Sequence, residues 1–284
     1  MRLMKKAYFL SSLALALFFC FTAAAQTTRE EFVARYDRLT NAVGASGVGV
    51  ETLLDRWEEA FPDDWAVDVA RFSYYFTKAQ RSEIVPKPGY RRFLGNAPAL
   101  TLKDTDGQDV PYFEETFFEE EYFAEAMKVL DREIAARPDE LRFHLLKISA
   151  LAAYEKESPD MAAAELKSLI ERHAAQHPAW TLDDEAVDAE LFQQAVGEYC
   201  YEFFQTGSKT GYEYFREISE RMNKLYPKNP VFIDNIGSYW QVARGDDKQA
   251  AKYYKKALKL DPDDYAAQRN LQLIEKNKAQ GKKK

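Results

Sequence analysis

Apolar side chains recur every three or four residues along most of the chain, which is the spacing of one face of an α-helix. Three such runs lie between residues 26 and 80, and further runs follow from Glu114 to the C-terminus. Most of them stop at a proline, which cannot continue a helix. The pattern therefore predicts an all-α fold, in which successive helices form antiparallel pairs.

The prolines that close these runs indicate a repeat. They are Pro62, Pro138, Pro178, Pro227 and Pro262, separated by 76, 40, 49 and 35 residues. The first interval equals two units of 38 residues, so the intervals are compatible with a helix pair of roughly 35 to 50 residues. We expect about five helix pairs and a final capping helix, stacked so that each pair buries its neighbour's apolar face.

The clearest pair covers residues 231–262. Its first helix contains Ile236-Gly237 and Trp240, and its second contains Ala250, Tyr254 and Ala257 before the stop at Pro262. This arrangement resembles the tetratricopeptide repeat, which has an apolar-Gly pair, an aromatic three residues later, Ala-x3-aromatic in its second helix, and a closing proline. Ile233 stands where the family pattern has a tryptophan. The resemblance implies an α-solenoid.

In that family the first helices of successive pairs line a concave groove that binds a peptide or protein segment. The residues expected to reach into it here are Asn235, Tyr239 and, in the closing helix, Asn270. An asparagine can hydrogen-bond a ligand backbone through both amide atoms. The same side chains could instead cap a helix or pack, and that alternative stays open.

Residues 81–113 interrupt the helical pattern with four of the chain's 11 prolines. Two short apolar runs, 99–103 and 108–112, flank Asp104-Thr-Asp-Gly107, which predicts a β-hairpin. Pro111 should confine its strand to the edge of a sheet. A long insertion on a rigid scaffold could carry function, and a structural cover for the first helices is equally compatible.

Met1–Ala25 has the form of a secretory signal peptide, with Arg2, Lys5 and Lys6 before an apolar run and three alanines at its end. The run is shorter than the ~20 residues of a membrane span, so a retained anchor fits less well. Phe19 precedes Cys20 where a lipoprotein signal needs a small residue. We expect an exported, soluble protein, periplasmic or extracellular, whose mature chain begins at Gln26.

The domain organisation follows from these patterns. The segments are a signal peptide at 1–25, degenerate helical repeats at 26–80, the insertion at 81–113, helix pairs at 114–262, and a capping helix with a basic tail at 263–284. Residues 26–284 carry 36 basic and 46 acidic residues, a net charge of −10, which argues against nucleic acid as a ligand. Cys200 alone remains after cleavage, so no intrachain disulfide is expected, and its aromatic neighbours indicate a buried position.

Candidate chemistry is sparse, and we expect neither an enzyme nor a bound cofactor or metal. His173 and His177 have the spacing of a zinc pair, but the glutamate of a metalloprotease does not follow His173. Residues 104–109 fail the calcium-loop pattern, since Leu102 stands where an acid is needed. The carboxylate run Glu114–Glu121 fits a solvated helix start.

Lysines cluster at the C-terminal end, at positions 252, 255, 256, 259, 276, 278 and 282–284. They fit a solvated outer face, and the alternative is docking to acidic lipid head groups or an acidic partner.

These observations favour an exported adaptor that binds a protein or peptide through the groove, the insertion or both. One alternative is an accessory protein of the cell envelope that binds a glycan or another small ligand through its aromatic side chains. The other is a hydrolase with a dispersed acid pair, which a cleft with two facing carboxylates would support.

Overall fold

The computed structural model describes residues 27–281, and within that range it is mostly helical, with eleven helices and five strands. The predicted signal peptide lies outside the described residues. The chain divides into two compact units between Tyr74 and Tyr75. Within residues 27–281, every helix is too short or too polar to cross a membrane.

The N-terminal unit contains α1 (Arg29–Val43), α2 (Val50–Ala60) and most of α3 (Trp65–Ala79). These are the three helices that the apolar spacing predicts. Thr28 caps α1 by accepting a hydrogen bond from the Glu31 backbone N–H at 3.3 Å. The core of the unit is Trp57, which is buried and whose ring stacks on Phe32 with centroids 6.1 Å apart.

The second unit begins with a three-stranded antiparallel sheet. Its strands are β1 (Gln80–Pro86), β2 (Leu100–Lys103) and β3 (Asp109–Phe118), in the order β1-β3-β2. The predicted hairpin is present, because Leu100 pairs with Tyr112 and Lys103 with Asp109. In the turn, the Asp104 carboxylate accepts from the backbone N–H groups of Asp106 and Gln108, so it holds the turn itself.

Two predictions for this region are wrong. Pro111 lies in the central strand rather than at an edge. Its carbonyl accepts from the N–H of Lys87, the residue just after β1. Pro111 has no backbone N–H to donate, and this absence falls at the position where the pairing with β1 ends. The chain from Glu114 to Phe118 is strand rather than helix, and the helix starts only at Glu120. Pairing with β1, distant in the sequence, outweighs the local helical spacing.

Eight helices follow the sheet, and most of them contact the next one along the chain. They are α4 (Glu120–Ala136), α5 (Leu141–Glu155), α6 (Asp160–Gln176), α7 (Ala189–Gln205), α8 (Lys209–Leu225), α9 (Pro230–Val242), α10 (Asp247–Leu260) and α11 (Tyr265–Gly281). The exception lies between α6 and α7, where the strands β4 (Thr181–Leu182) and β5 (Glu185–Ala186) form a small hairpin. The apolar pattern does not show this hairpin, and α7 begins only after it, at Ala189.

The start of α6 is held by a side chain of the preceding helix. The Glu155 carboxylate accepts from the N–H groups of Met161 and Ala162. At the other end, His177 adopts a left-handed conformation with φ of 48°, which ends the helix before Pro178 as predicted.

The α9–α10 pair is the most closely packed part of the C-terminal helices. A Cβ atom at Gly237 would lie 2.6 Å from Cε1 of Tyr254, so only glycine permits this approach. Tyr254 has no exposed surface, and its hydroxyl donates to Oε1 of Gln241 at 2.6 Å. Ala250 and Ala257 are also fully buried beside it. The small residues singled out in the sequence therefore set the distance between these helices.

We expect Gly237→Ala to lower the free energy of unfolding by ~1–3 kcal/mol, because the added methyl group overpacks a buried ring. Gly197→Ala in α7 is the matched control, since a Cβ there meets nothing within 4 Å. Alanine is favoured over glycine inside a helix by ~1 kcal/mol, so the control should be neutral or stabilising. Chemical unfolding of both variants measures the difference, and equal stability would contradict the packing described.

Candidate functional site

Two adjoining cavities lie along the helices α7, α9 and α11, and the predicted contact residues Asn235 and Asn270 line them. Both asparagines are half-buried, Asn235 on α9 and Asn270 on α11. Asn270 also lies close enough to the hydroxyl of Tyr254 to lower the pKa of that group, against the larger effect of burial. Two of the three predicted side chains are thus brought together on one concave surface.

The third residue, Tyr239, does not reach outward as the sequence suggested. It is only 4% exposed, and its hydroxyl donates to Oε1 of Glu213 on α8 at 2.7 Å. The guanidinium of Arg216 lies over its ring at 5.5 Å. Tyr239 therefore packs against the preceding helix, a contact that spacing within α9 alone cannot show.

The larger cavity, which we call the α7 cavity, has a volume of about 1000 Å³. Its wall on α7 includes Gln193, Gln194 and Gly197, and the loop from Leu225 to Val231 forms the opposite wall. Asn229 at the start of α9 is held toward α7 by donating to Oε1 of Gln193 at 3.0 Å. This hydrogen bond fixes the loop that shapes the cavity.

The second cavity, which we call the Asp234 cavity, has a volume of about 690 Å³ and lies between α9 and the start of α11. Four carboxylates line it: Asp234, Asp261, Asp263 and Asp264. Tyr201 and Tyr265 also line it, and they are 50% and 73% exposed. It shares Tyr201 and Asn235 with the α7 cavity, so the two form one continuous depression.

Asp234 is the most unusual side chain of this surface. It is only 9% exposed, and its Oδ1 has no hydrogen-bond partner among the described residues. Burial, followed by the nearby charge of Asp264, raises the pKa of Asp234 to about 7. A buried carboxylate without a partner is costly, because it loses hydration and gains no protein hydrogen bond in return.

Two of the three other acids of the cavity accept hydrogen bonds from backbone N–H groups. Asp264 accepts from the N–H of Ala267 at 3.0 Å and so caps α11. Asp261 accepts from the N–H of Asp263 at 3.0 Å within the preceding turn. Across residues 27–281, histidines, cysteines and acids form no group of three that could hold a metal ion. The cavity is therefore acidic, and its acids form no such group.

Sequence reasoning missed Asp234, although a signal was available. It is a charged residue inside the apolar start of α9, between Ile233 and Ile236, both of which are buried. Polar residues at such positions are normally paired.

The two histidines with zinc-pair spacing belong to a packing network. Nδ1 of His173 accepts from the Trp180 indole at 3.0 Å, and its Nε2 lies 2.5 Å from the Tyr226 hydroxyl. The ring stacks on Phe192 at 3.9 Å, and burial lowers the pKa of His173. Both nitrogens are therefore engaged in hydrogen bonds that hold the α6 end against its neighbours.

Cys200 is fully buried, as the sequence indicated, and burial raises the pKa of its thiol to about 12. Its Sγ donates to the carbonyl of Phe215 on α8 at 3.4 Å. A thiol that stays protonated at physiological pH is a weak nucleophile. Cys200 therefore packs α7 against α8.

The lysines predicted to line one face of α10, at positions 252, 255, 256 and 259, are all exposed. Lys256 lies over the ring of Tyr253 at 5.0 Å, along the outside of the helix.

No family model matches the chain, and neither a curated protein nor a solved structure matches it significantly.

We expect Asp234→Asn to stabilise the protein at pH 8. The folded-state pKa, about 7, lies above the ordinary value of 3.8, so the folded state keeps the proton longer than the unfolded state. Stability is therefore lost as pH rises from the ordinary value through the folded one. The neutral asparagine removes this loss.

Thermal unfolding should show a higher Tm for Asp234→Asn at pH 8, and the gain should shrink toward pH 4. Glu275→Gln, an exposed acid on α11, is the control and should leave Tm unchanged at both pH values. A variant no more stable than the wild type at pH 8 would contradict the burial of an unpaired charge.

Proposed function

We propose that this protein is an exported scaffold of tetratricopeptide-like helix pairs that binds a protein or peptide partner in the joined cavities. The observation that carries the proposal is that α7, α9 and α11 line one continuous depression. In the proposed scaffold these are the first helices of successive pairs. Asn235 and Asn270 supply amide groups within it, which suit the backbone of an extended segment. Export rests on the signal-like pattern of residues 1–25.

The helix arrangement supports the repeat assignment. Each of α7 to α10 contacts the next helix along the chain. The close approach of Gly237 to Tyr254 occurs at the positions that define the family's helix pair. Quasi-linear stacking of such pairs leaves one side of the first helices open, because a stacked helix contacts only its immediate neighbours.

Exposed apolar side chains beside the asparagines favour a peptide ligand. Val231 is 49% exposed and Tyr201 50% exposed, and both line the two cavities. Binding interfaces commonly combine aromatic and apolar anchors with a few polar groups that set orientation. This surface provides both within one depression.

The insertion offers a second contact surface for the same partner. β2 is an edge strand, and its Leu100 and Leu102 are 41% and 53% exposed. An extended segment can add to such an edge through backbone hydrogen bonds. The base of the insertion is structural, since Phe113 is buried and Glu115 lies between Lys87 and Lys156 at 2.9 and 2.5 Å.

A glycan ligand is the second candidate. Tyr201 and Tyr265 expose their rings in the Asp234 cavity, where sugar faces could stack. The same cavity holds two carboxylates, Asp234 and Asp264, and the charge of Asp264 contributes, after burial, to the raised pKa of Asp234. A glycan assay should therefore also look for hydrolysis. The position of Asp264 is already explained by its capping of α11.

Site-specific photocrosslinking in cells tests the proposal. The crosslinking residue replaces Asn235 in the groove, Leu102 in the insertion, or Lys255 on the outer face of α10 as the control. We expect one discrete protein adduct from Asn235, from Leu102 or from both, and none from Lys255. Deletion of residues 82–112 is unsuitable, because it would remove β1 and uncover Phe113.

In an otherwise wild-type chain, the double variant Asn235→Ala with Asn270→Ala should capture less of that partner than the wild type does. The two substitutions remove the amide groups and leave the apolar rim in place. The Tm of the double variant must be compared with the wild type, because Asn270 lies near the hydroxyl of the buried Tyr254. If neither position gives a protein adduct and the protein binds on a glycan array, the adaptor function is contradicted and glycan binding becomes the supported function.

A further inference from the structure

We propose that the Asp234 cavity receives a lysine or arginine side chain of the bound peptide. This inference rests on the proposed function, and it names the chemical class of the partner: an extended segment that carries a basic residue. It assigns Asp234 as the residue that pairs with the cation.

Charge is the first argument. Four carboxylates line the Asp234 cavity, and no lysine, arginine or histidine of the described chain does so. The α7 cavity adds Glu190 and Glu198, against one basic residue, Lys228. A partner with basic side chains is electrostatically complementary to such a surface, whereas an acidic segment would be repelled.

The unpaired carboxylate is the second and independent argument. Many other acids of the described chain lie in ion pairs or accept hydrogen bonds; Glu115, for example, lies between two lysines. Asp234 is more deeply buried than its acidic neighbours and has an oxygen that accepts no hydrogen bond, yet it lines an open cavity. A cationic group in that cavity would compensate the buried negative charge of this carboxylate.

The shape and aromatic walls of the cavity suit an organic cation. Tyr201 and Tyr265 present exposed rings, which attract an ammonium or guanidinium group through cation–π interaction. The acids of the described chain do not converge in a metal-binding group, so a divalent ion finds no ready set of ligands there. A volume of about 690 Å³ also accommodates a long basic side chain.

The adjoining α7 cavity indicates which side chains should flank the basic residue in the bound segment. Leu225, Pro227 and Pro230 give that cavity an apolar wall, and it meets the Asp234 cavity at Tyr201 and Asn235. A basic residue seated against Asp234 would therefore place neighbouring apolar side chains of the same segment on this wall. The expected motif is a basic residue beside apolar ones.

Fluorescence anisotropy with defined peptides tests the inference. The probes are three labelled peptides of about nine residues, ~30 Å when extended. They share apolar flanks and differ only at the centre, which is lysine, norleucine or glutamate. The full chain is titrated at pH 8, above the Asp234 pKa of about 7, so that the carboxylate is ionised.

We expect the lysine peptide to bind at least about tenfold more tightly than the norleucine peptide, a difference of ~1.4 kcal/mol. Asp234→Asn should abolish this preference, and Glu275→Gln should retain it. Because Asp234→Asn is expected to be the more stable protein, its Tm shows directly that lost binding is not unfolding. Equal binding of the lysine and norleucine peptides, or an unchanged preference in Asp234→Asn, would overturn the inference.

Three further outcomes separate this inference from the proposed function. If a partner crosslinks at Asn235 and Asp234→Asn does not change its capture, the proposed scaffold function stands. The proposed pairing of Asp234 with a basic side chain is then refuted. Saturable binding of spermidine without any binding of the lysine peptide would also refute it, because the cation would then be a free polyamine. Absence of a crosslinked protein at both positions would refute the scaffold itself.

Discussion

The contact between Gly237 and the ring of Tyr254 connects the packing of the C-terminal helices with the candidate site. Because α10 approaches α9 at the one position without a side chain, the ring of Tyr254 is sealed between them. Its hydroxyl donates to Gln241 on α9, and its ring belongs to one buried cluster with Ala267 and Ile274 of α11. One side chain of α10 therefore joins α9 and α11, and α11 carries Asn270 in a wall of the Asp234 cavity. The packing of these helices thus positions the candidate binding surface.

At Tyr254 one contact serves both the packing and the candidate site, whereas at Asp234 the candidate site lowers the stability of the fold. A buried carboxylate with an unsatisfied oxygen destabilises the fold, and nothing in the packing of α9 requires a charge there. Functional sites are where proteins tolerate such a cost, because a group optimised for a ligand is rarely optimal for the empty protein. The proposed cationic side chain would satisfy that carboxylate only in the complex, so binding would relieve a strain of the unbound state.

The sheet shows how a chain can be misread when local spacing is taken alone. Glu114 to Phe118 has a composition that suits the start of a helix, yet it forms the middle strand of the sheet. Pairing with β1 and the two lysines around Glu115 stabilise the strand form. The sheet is thereby tied to the body of the second unit at its base, while β2 remains an exposed edge.

The sequence by itself determined the helices that end at prolines, the hairpin at Asp104–Gly107, and the small residues of the α9–α10 pair. Each of these depends on local periodicity, turn chemistry or a steric requirement at one position. Tertiary structure alone decided that Tyr239 packs on Glu213, that Pro111 lies in a central strand, and that Asp234 faces a cavity without a partner. These depend on which distant segments meet, and the spacing of residues within one helix or strand carries no information about its neighbours.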